Sequence, residues 1–141
     1  MAKAITLAKI PTSWKKELEI SSAGTYGWEG QPASSLAVAV LKEAGVDLSD
    51  HQARRLTREM IENSDLVVVM EGEHRDAVLQ MAPEAASRVI ILGELEEGRK
   101  DPDIDDPIGG NREVYKRTRD EIDRLVVLLI DYLADKYGLK R

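Results

Sequence analysis

Residues 101–110 read DPDIDDPIGG, with four carboxylates, two prolines and a glycine pair in ten residues. Carboxylates at this density can ligate a metal, stand solvated on a turn, or include one that moves a proton. As a calcium loop, the segment aligns Asp101, Asp103 and Asp105 with the first, third and fifth ligand positions. The position that demands glycine is Asp106, however, and the one that demands a closing glutamate is Arg112. As a turn it is well made, because Asp and Pro favour turns and Gly109-Gly110 frees the backbone. As an acid loop, it would carry one Asp towards a leaving group on a segment hinged by proline and glycine.

Two other stretches could carry chemistry. SSAGTYGWEGQPAS (21–34) sets Tyr26 and Trp28 among glycines, either covering a sheet edge or forming the rim of a pocket. LSDHQARRLT (48–57) contains His51, one of only two histidines, which reads as a ring ordering a neighbouring loop rather than as a catalyst. Arg54 and Arg55 could meet a phosphate or simply stand on the surface. His74 lies among charges and reads as solvated. The chain has no Walker motif, dinucleotide fingerprint, zincin helix or nucleophile elbow.

The elements that must position these residues follow from hydrophobic period. LEISS (18–22), DLVVVM (65–70) and RVIIL (88–92) read as strands, the first being the weakest. The other two are apolar on both faces, which suits a parallel sheet covered by helices on each side. Helices are expected at the start of the chain and over 32–44, 57–63 and 72–81. A long last helix starts from Asn111 as N-cap, runs to about residue 136 and ends at Gly138. Its stripe is Val114, Thr118, Ile122, Leu125, Leu129 and Leu133. The order gives an α/β fold with a small parallel sheet flanked by helices. Both DPDIDDPIGG and SSAGTYGWEGQPAS follow the carboxyl end of a strand, where open α/β sheets bind ligands. With so many helices for three strands, the sheet looks one strand short, and the place for that strand lies before Met1.

The chain has 141 residues, a length that suits one domain. Phe is absent and aromatics are 4%, so the core should be aliphatic. A formal net charge of −6 gives no electrostatic reason to bind nucleic acid or an anionic membrane. No apolar run approaches the ~20 residues of a membrane span, and no signal peptide is evident; a cytoplasmic location is expected. Cysteine is absent, which removes disulfides, thiolate metal sites and any thiol nucleophile from these residues.

Taken together and in order, SSAGTYGWEGQPAS, VLKEAGVDLSDHQARRLT, SDLVVVMEGEH, VIILGE and DDPIGG with the helix EVYKRTRDEI resemble the low-molecular-weight protein tyrosine phosphatase family. The details look most like the bacterial branch that includes protein arginine phosphatases. The resemblance implies a four-stranded parallel sheet and metal-free, cofactor-free hydrolysis of phosphorylated protein side chains. In that chemistry a cysteine thiolate on a C-x5-R loop attacks phosphorus, and backbone N–H groups at a helix N-terminus hold the phosphate. By the same resemblance Asp106 is the general acid. Ser22 and His51 support the phosphate loop, and Tyr26, Trp28 and Ile108 wall the pocket.

One departure matters. The family's first, central strand and its C-x5-R loop have no counterpart here, and MAKA (1–4) resembles the start of the helix that follows that loop. The chain therefore reads as a single, N-terminally incomplete phosphatase-like domain. It is expected to be inactive as it stands and prone to self-association through unpaired strand edges. The alternatives are a start assigned at an internal methionine or a truncation, a pseudophosphatase that binds without catalysis, and a fragment that restores its sheet by pairing with another chain. Ile108, where phosphotyrosine enzymes profit from an aromatic wall, leans the parent's substrate towards phosphoarginine.

Overall fold

The structure, a computed structural model, describes residues 1–25 and 29–141. The chain opens on helix α1 (Ala2–Lys9) and a 3₁₀ turn over Thr12–Lys16. That turn buries Trp14 completely, and its indole Nε1 donates to the Lys140 carbonyl at 2.8 Å, tying the two ends of the chain together. Aromatic scarcity thus does not leave the core purely aliphatic, since Trp14 and Tyr115 are both interior.

Helix α2 (Ser35–Glu43) begins where the Ser34 hydroxyl accepts the Ala37 N–H, and the chain turns away from it at Gly45 with φ +77°. Helix α3 (Arg58–Glu62) is capped by Thr57 as its sequence suggests, with Oγ1 accepting from the Met60 N–H. Strand β1 (Val67–Val69), helix α4 (Gly72–Met81) and strand β2 (Val89–Ile91) form a parallel crossover with Val68 opposite Ile90. The long helix α5 (Arg112–Tyr137) starts from Asn111, whose side chain accepts the Val114 N–H, and ends at left-handed Gly138.

Alternation along the strands separates two apolar layers, because successive side chains leave a strand on opposite faces. Leu66, Val68, Met70 and Ile90 pack against the larger cluster formed with α1, α2 and α5. Val67, Val69, Val89 and Ile91 meet Ile61, Val78, Ala82 and Ala85 on the other side. Both faces are covered, which is why these strands read as unbroken apolar runs.

The strand expected over 18–22 does not form. Its stretch has no ladder partner among the described residues, and the N–H groups of 19–23 find no backbone acceptor there. A strand exists only through its neighbour, and among the described residues the sheet has two strands, β1 and β2. Among the described residues no helix is long and apolar enough to cross a membrane.

Candidate active site

The loop 101–110 leaves the sheet after β2 through a 3₁₀ turn over Leu92–Leu95 and is anchored at several points. The side chain of Arg99 is 14% exposed. Its Nε donates to the Asp101 carbonyl at 2.7 Å, and its Nη2 donates to the Asp103 carbonyl at 3.1 Å and to Glu121 at 3.0 Å. The Ile104 N–H donates to the Met70 carbonyl at 2.8 Å and its side chain is buried, so the loop is stitched to the end of β1. Asp103 accepts the Gly72 N–H at 2.8 Å, placing a carboxylate at the positive end of α4. Gly93 lets the loop lie directly on the turn beneath, since a β-carbon there would fall 2.0 Å from the Pro102 carbonyl oxygen.

Two of the loop's aspartates besides Asp106 are held by backbone bonds rather than merely solvated. Asp103 is half-buried and caps α4, and Asp101 accepts the Asp103 N–H at 2.9 Å. Asp106 is exposed at the loop's tip and accepts the Ile108 N–H at 3.0 Å, while Gly110 donates to the Pro107 carbonyl to close the turn. Ile108 is 78% exposed. Among the described residues no three His, Cys, Asp or Glu side chains converge in a way that could hold a metal ion.

The second wall comes from the segments around Ser22 and His51. Gly24 donates to the Arg54 carbonyl and accepts from Leu56, while Ala53 and the 30–31 backbone exchange bonds of 2.7 Å. Arg54 reaches the Ser22 carbonyl at 3.3 Å. Ser22 and His51 are each half-buried. Tyr26 and Trp28, expected to wall the pocket, lie outside the described residues.

These walls meet at a cleft of about 1690 Å³, and Ser22, His51, Asp106 and Ile108 all line it. Residues separated by more than 80 positions are thus brought to one mouth. His74 also lines the cleft and is half-buried rather than solvated. Met1, Ala2 and Lys3 bring the positive N-terminal end of α1 to the same cleft. Burial pulls the Met1 α-amino group below its ordinary pKa, and the attraction of Asp106 partly offsets this. His51 is likewise held below its usual range, first by burial and then by the positive Met1 amino group and Lys3. A smaller cavity of about 590 Å³ between α1, α2 and α5 contains none of the candidate residues.

Chemically, the mouth combines an exposed carboxylate on a fixed loop, a histidine that favours its neutral form, and a helix N-terminus suited to anions. The 141 residues contain no cysteine, so a thiolate attack is not available from these residues alone. Sequence reasoning missed Arg99 and Gly93. Nothing in the sequence distinguishes Arg99 from a surface arginine, whereas a glycine right after a strand can signal close backbone approach.

Residues 1–138 match the family described as low molecular weight phosphotyrosine protein phosphatase. The chain is 39% identical over 119 residues to a protein-arginine-phosphatase of Geobacillus stearothermophilus, covering 84% of this chain and 76% of that protein. It is similar to a solved low molecular weight protein tyrosine phosphatase from T. tengcongensis at 40% identity and TM-score 0.83, covering 94% of this chain and 88% of the other. It also resembles a YwlE arginine phosphatase, solved as a cysteine-to-serine mutant with a phosphorylated active-site serine. There the identity is 29% and the TM-score 0.85, over 99% of this chain and 90% of that one.

Proposed function

This chain belongs to the low molecular weight phosphotyrosine protein phosphatase family, and from that premise we propose that it supplies the acid loop and substrate wall of a protein phosphatase. Asp106 protonates the leaving atom as the phosphoryl group passes to a cysteine, giving a phosphocysteine that water then hydrolyses. Ser22 and His51 steady the loop that holds the phosphate, and Ile108 walls the substrate. The observation that carries this reading is the convergence of Asp106, Ser22, His51 and the start of α1 on one cleft, although they come from separate parts of the chain. A relative phosphorylated on a serine that replaced cysteine supports a covalent route for the family.

The cysteine is not among these 141 residues, so the chain by itself is inactive. The substrate is a phosphorylated protein side chain. Phosphoarginine is favoured over phosphotyrosine because the wall on the acid loop is the aliphatic, exposed Ile108. The test is to place an apolar strand and a C-x5-R loop ahead of Met1 and assay turnover of phosphoarginine and phosphotyrosine. The fusion should turn over where the 141-residue chain does not. Asp106→Ala in the fusion should lower kcat by roughly 10²–10⁴-fold, most for the poorest leaving group. A folded fusion with no turnover of either substrate sinks the proposal.

The pseudophosphatase alternative keeps the same walls and uses them to hold a phosphorylated partner without hydrolysis. Phosphopeptide binding by a folded but inactive fusion favours it.

A further inference from the structure

Among the described residues, the hydrogen bonds made at 105–110 stay within the loop tip. The Ile108 N–H donates to Asp106, and the Gly110 N–H donates to the Pro107 carbonyl. Asp106 therefore takes its place from the residues that precede it. At 103 and 104 the loop is joined to the body of the fold, through the Asp103 carboxylate on the Gly72 N–H and the Ile104 N–H on the Met70 carbonyl. What aims the chain into these bonds is Arg99, which lies outside the lining of the cleft that Asp106 faces.

The Arg99 side chain is 14% exposed, and two carboxylates fix its guanidinium. Glu121 of α5 is 3.0 Å from it and Glu96 is 3.5 Å from it, and Glu96 is paired in turn with Arg124 of α5. The loop backbone fills the rest of the fork. Nε donates to the Asp101 carbonyl at 2.7 Å and Nη2 to the Asp103 carbonyl at 3.1 Å. The carbonyl between them, that of Pro102, lies against Gly93. Three successive carbonyls are thus fixed, two of them by one planar cation. Such a fork donates in set directions, so it orients the peptide planes as well as holding them near. Pairing with Glu96 and Glu121 alone would satisfy the charge; the two carbonyl bonds are what tie the loop to α5.

We propose that Arg99 is a positioning residue for the proton transfer assigned to Asp106. By clamping the 101 and 103 carbonyls to Glu121 of α5, it sets where the Asp106 carboxyl stands against the leaving atom. This rests on the phosphatase reading and adds to it a residue outside the cleft. In that step phosphorus bonds to the cysteine sulfur as its bond to the leaving oxygen or nitrogen breaks. The leaving atom takes the proton, and Asp106 is left as the carboxylate. Arg99 acts only through the backbone that carries Asp106.

The test uses two substrates of the fusion described above. Phosphotyrosine has a poor leaving group that needs the proton, whereas 4-nitrophenyl phosphate has one that departs without it. Arg99→Met should lower kcat/KM for phosphotyrosine by about 10–100-fold, the scale of a misplaced reacting group. For 4-nitrophenyl phosphate the change should stay within about twofold. The ratio decides, because a smaller folded fraction lowers both alike. Arg99→Lys keeps the charge without the fork and should restore part of the loss. Added to Asp106→Ala, Arg99→Met should cost phosphotyrosine turnover less than about twofold more, since the group it positions is gone. Should Arg99→Met not fold, Glu121→Gln loosens the same clamp from α5 and should move the ratio in the same direction. In the 141-residue chain itself, Arg99→Met should speed amide exchange at Gly72 and Ile104 by about tenfold relative to Leu125 in the core of α5.

An equal fall on both substrates, or a full further loss on the Asp106→Ala background, overturns the positioning role. Unchanged exchange at Gly72 and Ile104 overturns the clamp whatever the fusion does. A folded parent fusion that turns over neither substrate removes the phosphatase reading itself. An active parent whose substrate ratio survives Arg99→Met removes this inference alone.

Discussion

Replacing Gly93 by alanine tests whether the acid loop is held by close backbone packing. A β-carbon at this position would lie 2.0 Å from the Pro102 carbonyl oxygen, 2.9 Å from its carbonyl carbon and 3.0 Å from Arg99 Nε. Ordinary non-bonded contact is about 3.5 Å, so the 102 carbonyl must retreat by about 1.5 Å. It is backbone and cannot swing aside as a side-chain tip would. The retreat strains the neighbouring bonds from Arg99 to the Asp101 and Asp103 carbonyls. Overpacking costs about 1–3 kcal/mol, and weakening a charge-assisted bond adds about 1 kcal/mol or more, for a total near ~3 kcal/mol. For a domain of this size that lowers Tm by about 10 °C. Gly109→Ala is the control: its φ of +80° strains alanine, but nothing lies within 4 Å of the added carbon, so it should cost only ~1–2 kcal/mol. Thermal unfolding gives the magnitudes. Faster exchange of the Ile104 amide, bonded to Met70, shows that the loop has lifted. A Gly93→Ala protein melting within about 2 °C of the parent, with that amide equally protected, would refute the packing argument.

Other outcomes follow from the same structure. Arg99→Met should cost about 2–4 kcal/mol by leaving Glu96, Glu121 and two loop carbonyls without their shared donor, and Arg99→Lys should recover only part of it; denaturant unfolding measures both. Trp14→Ala should cost about 3–5 kcal/mol, because a fully buried indole and its bond to Lys140 are lost together. His51 has a folded pKa below its ordinary value of 6.5, so the unfolded chain takes up the proton first. Stability should therefore fall as pH drops through that value and stop falling, on this account, below the folded pKa. His51→Gln should remove this part of the pH dependence, and an NMR titration placing the ring at or above 6.5 would contradict it.

What the sequence determined by itself is what local chemistry dictates. The caps at Thr57 and Asn111, the stop at Gly138 and the bounds of α4 were legible because side chains within a few residues satisfy helix ends. The two-sided burial of β1 and β2 was legible because a fully covered strand must be apolar at every position. The ordered succession of motifs carried the family, and with it the candidates Asp106, Ser22 and His51. Tertiary structure alone decided the rest. The 18–22 stretch has strand-like residues but no ladder partner among the described residues, and pairing cannot be read from one side of a ladder. Asp103 and Arg99 look like any loop charges until the fold brings α4 and α5 against them. The meeting of Ser22, His51 and Asp106 at one cleft is likewise a product of the crossover around β1, because only the fold sets distances between residues so far apart in the chain.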